Sequence, residues 1–365
     1  MTKAFGVGII GFEPDRSWGA LAHAPALRAL PDFEIVAVAT RRQESSAIAA
    51  AALGLSKGYD SPEALVLDSA VQVVAITVKV PEHRRLVELA LAAGKHVYCE
   101  WPFGNGIQEA LAMAEKAGKS KGRVAVGLQA RMAPAVDFAR TLIADGYVGE
   151  VLSTTLIGSG MQWGCVVDRP NAYILDRRNG ATMLTIPVGH TLDAVCHCLG
   201  EFAALSAVAT VRQPEVLRLD TGEILQKTAA DQIAVTGVLK SGTVVAVHYR
   251  GGMTRGTGLL WEINGAEGDL RITGAGGHAQ IVDLSISGAR GSDREMKMLD
   301  IPGGHRWTPP ELTGPAINVA QAYHRFAEDI RSGTRTCPDY NDAVIRHRMI
   351  AAIEEAASRE CRIEL

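Results

Sequence analysis

Small residues follow a short apolar run near the start of the chain, at intervals that suit the binding of a phosphate group. The run FGVGIIG (5–11) ends at Gly11, and Ser17 and Ala20 lie in the turn that follows. Between a strand and a helix, such residues let the backbone approach a pyrophosphate closely. The loop is about four residues longer than the G-x-G-x-x-G fingerprint, and a turn without a ligand is the alternative. The predicted dinucleotide-binding residues of this turn are Gly11, Phe12, Ser17, Trp18, Gly19 and Ala20.

Cations follow the second apolar run, at the position where a dinucleotide site commonly has a carboxylate for the ribose hydroxyls. EIVAVAT (34–40) ends at Thr40, and Arg41 and Arg42 come next. Guanidinium groups bind phosphate through paired hydrogen bonds. We therefore predict that Thr40, Arg41 and Arg42 contact the cofactor, and that NADP is slightly favoured over NAD. The alternative is that both arginines belong to a solvated loop.

Three side chains have the chemistry to move a proton to or from a substrate hydroxyl. His190 is a base by type, Lys79 follows a predicted strand at the edge where parallel sheets bind ligands, and Tyr173 can donate a proton. We predict them as catalytic residues; a structural histidine, a ribose-binding or solvated lysine and a packed tyrosine are the alternatives. The predicted substrate-binding residues are Arg131, Trp163, Tyr173, Asp176, His190 and Asp193.

Aromatic side chains add one further hypothesis about the substrate. Trp163 and Trp101 together suit an aromatic wall for a sugar or another flat ring, and core packing is the alternative. The ten histidines are scattered and show no metal-ligand spacing. We therefore predict no metal site.

Strand and helix patterns alternate through the first 125 residues. Apolar runs predict strands at 5–11, 34–40, 71–78, 95–101 and 123–129. Helical spacing occurs at 23–30, 45–54, 83–94 and 107–122. Repeated β-α-β units predict a doubly wound parallel sheet. The sequence thus predicts a dinucleotide-binding Rossmann domain at 1–128.

The pattern changes after about residue 150. Strand-like segments with intervening turns occur at 151–160, 215–219, 232–252, 259–277 and 279–287, and amphipathic helices at 318–332 and 340–358. Ser241-Gly242 has the composition of a hairpin turn. We therefore predict a substrate and oligomerisation domain at 129–365, of α+β type with a mostly antiparallel open sheet.

Composition excludes several classes of protein. The 365 residues are 47% hydrophobic and 21% charged, with a net charge of −3, which argues against a nucleic-acid-binding surface. No stretch approaches the roughly 18 uninterrupted apolar residues of a membrane span, and the first residues are too short and glycine-rich for a signal peptide. The six cysteines lack disulfide-framework spacing. We therefore expect a cytoplasmic protein that binds neither membrane nor nucleic acid.

Short motifs occur along nearly the whole chain: HAPAL (23–27), AGKHVYCEWP (93–102), ADGYVGEVL (144–152), GHTLD (189–193), NGAEGDL (264–270) and PDYNDA (338–343). Together they resemble the Gfo/Idh/MocA (glucose–fructose oxidoreductase / inositol dehydrogenase) family. The segments SWGALAH (17–23), KVPEH (79–83), EWP (100–102) and GHTLD resemble its Gal80-like branch. The resemblance implies NADP or NAD, a small-molecule substrate and a homodimer or higher homo-oligomer. It also implies that the cofactor contacts Val78, Lys79, His83, Glu100, Trp101, Pro102 and Gln129.

The chain departs from the family's catalytic pattern at two positions. The family's enzymes carry E-K-P where this chain has Glu100-Trp101-Pro102, and D-x-x-x-H where Ile186 precedes His190. An indole cannot exchange the proton that a lysine carries. We predict an NAD(P)-dependent oxidoreductase with an altered acid–base set, acting on a hydroxyl or carbonyl of a carbohydrate, cyclitol or similar small molecule. The alternatives are a non-catalytic dinucleotide-binding sensor and a redox-neutral enzyme that uses tightly bound NAD.

Overall fold

The computed structural model of the chain describes residues 3–365, which form two compact units. The first unit contains residues up to 129 together with 307–345, and the second contains 130–306 and 346–365. Within residues 3–365, no helix is long and apolar enough to cross a membrane. The same residues place no group of three or more His, Cys, Asp or Glu side chains where they could hold a metal ion.

The strands of residues 3–365 belong to three sheets. In chain order they are β1 (Phe5–Ile10), β2 (Phe33–Ala39), β3 (Val73–Ile76), β4 (His96–Glu100), β5 (Val124–Gly127), β6 (Val151–Ser159), β7 (Val166–Val167), β8 (Phe202–Thr210), β9 (Glu215–Arg218), β10 (Ile224–Gln226), β11 (Gln232–Leu239), β12 (Val244–Arg250), β13 (Leu259–Gly265), β14 (Gly268–Gly274), β15 (Leu284–Arg290), β16 (Lys297–Met298) and β17 (Ile363–Glu364).

The α-helices are, in chain order, α1 (Ala24–Arg28), α2 (Gln43–Leu53), α3 (Pro62–Leu67), α4 (His83–Ala92), α5 (Ile107–Lys119), α6 (Pro134–Ala144), α7 (Gly189–Leu199), α8 (Ala316–Ser332) and α9 (Tyr340–Arg359). Two of them begin with a π-helical turn: Gly19–His23 leads into α1, and Leu184–Val188 leads into α7.

The first unit is built on a five-stranded parallel sheet in the order β2-β1-β3-β4-β5. Its strands are short apolar runs buried on both faces, as crossover helices require. Gly54 ends α2 in a left-handed conformation, with φ +74°, which glycine adopts without strain. The predicted doubly wound sheet is confirmed.

Residues 307–345 pack in the first unit, whereas the sequence-based division at 128/129 assigns them to the second domain. The Tyr323 ring of α8 stacks on Tyr98 of β4, with centroids 4.4 Å apart. The Tyr323 hydroxyl lies 2.8 Å from Nδ1 of His23, and Val126 of β5 donates its N–H to the carbonyl of Pro338. The apolar face of α8 thus completes the core beside β4 and β5.

The second unit contains a nine-stranded sheet in the order β16-β15-β14-β13-β6-β12-β11-β8-β17. Its pairs are antiparallel except β12 with β6, which confirms the prediction of a mostly antiparallel sheet. Helix α7 packs on one face, where the Tyr249 hydroxyl of β12 donates to Thr191. Apolar side chains on strands of this sheet remain exposed, among them Leu152, Val208 and Val244. A second, three-stranded sheet has the order β10-β9-β7.

Two local predictions for the second unit meet different outcomes. The hairpin at Ser241-Gly242 is confirmed, since β11 and β12 pair across it and Gly242 has φ +93°. The segment 279–287 is a strand only from Leu284 onward. Helices α6 and α7 and strand β8 are additional elements without a corresponding prediction.

Candidate functional site

The carboxyl ends of β1, β2 and β3 meet at one edge of the first sheet. β1 pairs with β2 on one side and with β3 on the other, and Ile10 lies beside both Ala39 and Ile76. The strand order therefore reverses at β1, and ligands of such sheets bind outside the carboxyl ends at this point. Thr77 ties the two loops together, because its hydroxyl donates to the carbonyl of Gly11 at 2.8 Å.

Two glycines make the turn after β1 tight enough for a dinucleotide. Gly11 has φ +99°, and a Cβ there would lie 2.5 Å from Cγ1 of Val78. A Cβ on Gly19 would lie 2.9 Å from Oγ1 of Thr77. Nε1 of Trp18, in the same turn, is buried without a hydrogen-bond partner, and a ligand oxygen would satisfy it. These features fit the predicted cofactor.

The additional residues of this loop stabilise the loop itself. Oγ of Ser17 accepts from the N–H groups of Glu13 at 2.8 Å and Ala20 at 3.2 Å, and it donates to the Glu13 carbonyl. The Ser17 side chain therefore closes the loop from within. Phe12 is buried in the core, so backbone atoms are what this residue can offer to a ligand.

Three cations surround this edge of the sheet. Partial burial lowers the pKa of Lys79, and the positive charges of Arg41 and Arg16 lower it further. The Thr40 and Ser45 hydroxyls lie 2.7 Å apart, and both donate to the Arg42 carbonyl at the start of α2. The guanidinium of Arg41 is the group of this loop whose chemistry suits a phosphate. The structure brings Gly11, Lys79 and Arg41 to the same edge, and their contact with a cofactor stays a prediction.

The polar side chains around Glu100 bind one another instead of remaining available for a cofactor. The Glu100 carboxylate accepts from Nε2 of Gln129 at 2.7 and 2.9 Å, and Nε2 of His23 lies 2.8 Å from it. Gln129 is fully buried, and Trp101 and Pro102 are buried as well. The predicted cofactor contact of Glu100 is therefore corrected, because burial makes its carboxylate a support for the end of β4. Oε1 of Gln129 is buried without a hydrogen-bond partner, so the predicted cofactor contact of Gln129 stays a prediction.

His83 needs the same correction. Its ring lies between two backbone carbonyls, with Nδ1 2.8 Å from O of Pro102 and Nε2 2.9 Å from O of Val78. Burial lowers its pKa, while the two carbonyls act in the opposite direction. His83 therefore joins the segments that follow β3 and β4, and its ring has no nitrogen left for a cofactor.

His190 lies in the first turn of α7, in the second unit. Burial and, to a smaller extent, the neighbouring His278 lower its pKa to about 3. Burial also lowers the pKa of His278 to about 4, so both imidazoles are uncharged near neutral pH. Nδ1 of His190 is buried without a hydrogen-bond partner. The prediction that His190 receives a substrate group stays open to test.

Asp193 and Arg131 form a buried ion pair. Arg131 donates Nε to Oδ2 of Asp193 at 2.7 Å and Nη2 to Oδ1 at 2.5 Å. Nε of Arg346 lies 3.4 Å from the same carboxylate. Asp193 has no exposed surface, so its predicted role in substrate binding is corrected. It balances the charges of two buried arginines.

Trp163, Tyr173 and Asp176 are also drawn into contacts within the second unit. Trp163 is only 2% exposed, and its indole N–H donates to the Ile174 carbonyl at 3.1 Å; the predicted aromatic wall is therefore corrected, because Trp101 and Trp163 are both core residues. Burial raises the pKa of Tyr173. Hydrogen bonds from Arg178 lower the pKa of Asp176 to about 2.

Two segments of the chain match known protein families. Residues 5–128 match an oxidoreductase family with an NAD-binding Rossmann fold, and residues 134–274 match the Gal80p C-terminal domain. Dehydrogenase aclE of Aspergillus oryzae is 30% identical over 377 residues, which cover 99% of this chain and 98% of that protein. The chain belongs to the Gfo/Idh/MocA oxidoreductase family.

Other members of the family range from regulators to dehydrogenases. The galactose/lactose metabolism regulatory protein GAL80 of Kluyveromyces lactis is 28% identical over 305 residues, covering 77% of this chain and 66% of that protein. A structure of levoglucosan dehydrogenase in complex with NADH and levoglucosan has a TM-score of 0.85 at 22% identity, covering 99% of both chains. The predicted position close to the Gal80-like branch is confirmed.

Within this Gfo/Idh/MocA chain, some residues of the cofactor edge escaped the sequence analysis. Arg16 lies in the loop extension, which has no counterpart in the glycine fingerprint. Ser45 opens an alanine-rich helix, and Thr77 ends an apolar strand, so neither stands out by pattern. Hydroxyl residues immediately after strands or in the first turn of the following helix are the signal that would have identified both.

Proposed function

We propose that this protein is an NAD(P)-dependent oxidoreductase that acts on a hydroxyl or carbonyl group of a carbohydrate, a cyclitol or a similar small molecule. The observation that carries the proposal is the environment of Lys79. Partial burial and the positive charges of Arg41 and Arg16 lower the pKa of Lys79, and Lys79 follows β3 at the edge where parallel sheets bind ligands. Sequence identity of 30% with a dehydrogenase, over 99% of this chain, supports the same function.

Lys79 is the group best suited to move the proton in this reaction. When bound, the nicotinamide ring supplies the hydride acceptor or donor. A lowered pKa gives Nζ of Lys79 a larger unprotonated fraction near neutral pH, so it can accept a hydroxyl proton and return it in the reverse direction. His190 stays uncharged because burial opposes its protonation. A group with so low a pKa is a weak base, so the proposal assigns the proton to Lys79.

We also propose NADP as the preferred cofactor. Arg41 and Arg16 act on Lys79 as positive charges, and Arg41 follows β2, where the ribose of a dinucleotide is commonly bound. A 2′-phosphate would find guanidinium donors there. Arg41→Ala should weaken NADPH binding about 10- to 100-fold, the effect of losing one charged hydrogen bond, and leave NADH binding nearly unchanged. Equal weakening for both cofactors would contradict the preference.

Turnover is tested directly by the near-ultraviolet absorbance of reduced nicotinamide. The protein is mixed with NADP or NAD and a panel of sugars, cyclitols and related alcohols, and then with NADPH or NADH and the matching carbonyls. Lys79→Met should lower kcat about 10²- to 10⁴-fold, while the exposed control Arg294→Ala keeps the wild-type rate. Turnover that survives in Lys79→Met would remove Lys79 from the mechanism.

A dinucleotide-binding sensor is the second candidate, and Trp101 is the observation that favours it. The buried indole replaces the lysine of E-K-P, and a Gal80 regulator is among the relatives. Tight cofactor binding with no turnover in either direction would support the sensor. Conversion of a substrate without net formation of reduced cofactor would instead indicate the redox-neutral enzyme.

Self-association is proposed through the nine-stranded sheet of the second unit. Val208 of β8 and Val244 of β12 are 59% and 55% exposed, and exposed apolar surface on a sheet favours association. Sedimentation velocity measures the state directly. A purely monomeric species at micromolar concentration would contradict this proposal.

A further inference from the structure

The segment after β6 has an unusual backbone. Met161 and Trp163 both have left-handed φ angles, +57° and +60°, and neither is a glycine. Such conformations persist only where the surroundings enforce them, and they cluster at functional sites. Several hydrogen bonds enforce this one: Gly160 donates to the Arg250 carbonyl at 2.7 Å, and Gly252 donates to the Gln162 carbonyl at 2.7 Å.

A fully buried lysine holds the strained backbone. Nζ of Lys227 donates to the carbonyl of Trp163 at 2.7 Å and to that of Gly164 at 3.2 Å. It also lies 2.9 Å from Oδ2 of Asp231, and the two side chains are 0% and 1% exposed. The Asp231 carboxylate accepts two further backbone N–H groups, from Arg212 and Gln213. Lys227 therefore has three acceptors for its three protons.

Glycines immediately after β12 bring the same backbone close. A Cβ on Gly251 would lie 2.4 Å from the Trp163 carbonyl oxygen and 3.0 Å from Cβ of Asp231. A Cβ on Gly164 would lie 2.9 Å from Cα of Gly252. These contacts leave no room for a side chain, so Gly251 allows an approach that Lys227 then fixes. Both constraints act on the Trp163 carbonyl, one by a hydrogen bond and the other by the absence of a side chain.

The Trp163 side chain contacts two parts of the second unit that lie next to predicted substrate-binding residues. Its ring stacks on His278, with centroids 6.0 Å apart and planes at 17°, and His278 acts electrostatically on His190. Its indole N–H donates to the carbonyl of Ile174, the residue after Tyr173 in the 3-10 helix Arg169–Leu175.

We propose that Lys227, Asp231 and Gly251 form a clamp that fixes Trp163 and thereby positions His278 and the helical turn that carries Tyr173 for substrate binding. Lys227 is a positioning residue in this scheme, since it acts through Trp163. This proposal rests on the proposed function, because that function is what makes the surroundings of Tyr173 and His278 a substrate-binding site. A buried ion pair is not required for stability alone, because apolar residues of similar volume often replace one without loss.

Hydrogen exchange of the free protein tests the clamp without any substrate. In Lys227→Met, amides of the segment 160–176 should exchange at least about tenfold faster than in wild type, since their enforcing contact is lost. Gly251→Ala should accelerate exchange in the same segment, because its methyl would clash with the Trp163 carbonyl and the Asp231 side chain. The matched controls are Lys297→Met, which breaks the exposed Lys297–Asp293 pair, and Gly303→Ala, whose methyl meets nothing within 4 Å.

A purely structural role would give a different pattern. Acceleration spread evenly over β6, β11 and β12 would overturn the proposal, as would exchange in both clamp variants that matches the controls. Where Lys227→Met does not fold, Lys227→Arg and Gly251→Ala carry the test, because each leaves a cation at position 227.

Kinetics give the second readout. With a substrate in hand, clamp variants should raise KM about tenfold or more with a smaller change in kcat, and leave the Kd for NADPH unchanged. A fall in kcat with constant KM would overturn the positioning role. Absence of turnover in the wild-type protein would refute the proposed function, while the exchange experiment still decides whether the clamp exists.

Discussion

Acid should destabilise the second unit, because that unit buries three histidines in uncharged form. His190, His278 and His347 are 2%, 5% and 2% exposed. Burial lowers their pKa values from 6.5 to about 3, about 4 and about 4, respectively, with His278 also contributing at His190. Near pH 5 these side chains therefore take up a proton only when the unit unfolds.

The size of the effect follows from the difference between folded and unfolded pKa values. Because the folded pKa lies below the unfolded one, each histidine stabilises the fold above about pH 6.5, and this contribution is lost as the pH falls toward the folded pKa. Between pH 7 and pH 5 the loss is about 2 kcal/mol for each histidine and about 5–6 kcal/mol for all three. A whole domain has an unfolding free energy of only about 5–15 kcal/mol.

Urea unfolding followed by circular dichroism at pH 7 and pH 5 measures the difference directly. His347→Gln and His278→Gln should each reduce the loss between the two pH values by about 2 kcal/mol, whatever their effect at pH 7. The exposed His248 on β12 provides the matched control as His248→Gln. A loss below about 2 kcal/mol in the wild type, or an unchanged loss in both buried variants, would refute the reasoning.

Three further changes have defined outcomes. Asp193→Asn should lower the unfolding free energy by about 3–5 kcal/mol, because the buried Arg131 loses the carboxylate that it pairs with, while Arg346 keeps Glu201; thermal melting checks this, and a change under about 1 kcal/mol would contradict it. In the wild type, kcat/KM for alcohol oxidation should rise with pH to an apparent pKa below the usual 10.5 of lysine, and Lys79→Met should abolish this inflection. Val244→Asp should shift sedimentation toward monomer by placing charge on the open sheet; an unchanged oligomer would contradict a sheet-mediated interface.

The doubly wound sheet could be predicted because each of its elements has a local signal. Its strands are continuous apolar runs, and glycine marks the ends of β1 and α2. The antiparallel hairpin of the second unit follows from alternation on either side of Ser241-Gly242. Helix α7 gave no such signal, because residues 189–196 are all buried and the helix lacks the polar face that reveals a 3.6-residue period.

The packing of residues 307–345 in the first unit could not be predicted from local sequence patterns either, for a different reason. The sequence of α8 shows an apolar face but does not say which sheet that face covers. The choice depends on pairings such as Tyr323 with Tyr98, which are separated by more than 200 residues in the chain. A tyrosine at either position could pack against several partners, so only the assembled fold decides between them.

Burial separates the three predicted proton-transfer groups in a way that residue type cannot. By type, His190 is the best acid–base group near neutral pH, and Lys79 and Tyr173 are poorer ones. The same physical effect, desolvation of the charged form, then moves the pKa of His190 down to about 3 and that of Tyr173 up, both away from neutrality. It moves the pKa of Lys79 down as well, but toward neutrality, and the two arginines add to this shift. Lys79 is therefore the group that we propose in place of the missing lysine of E-K-P, which is why its removal is the most informative single substitution.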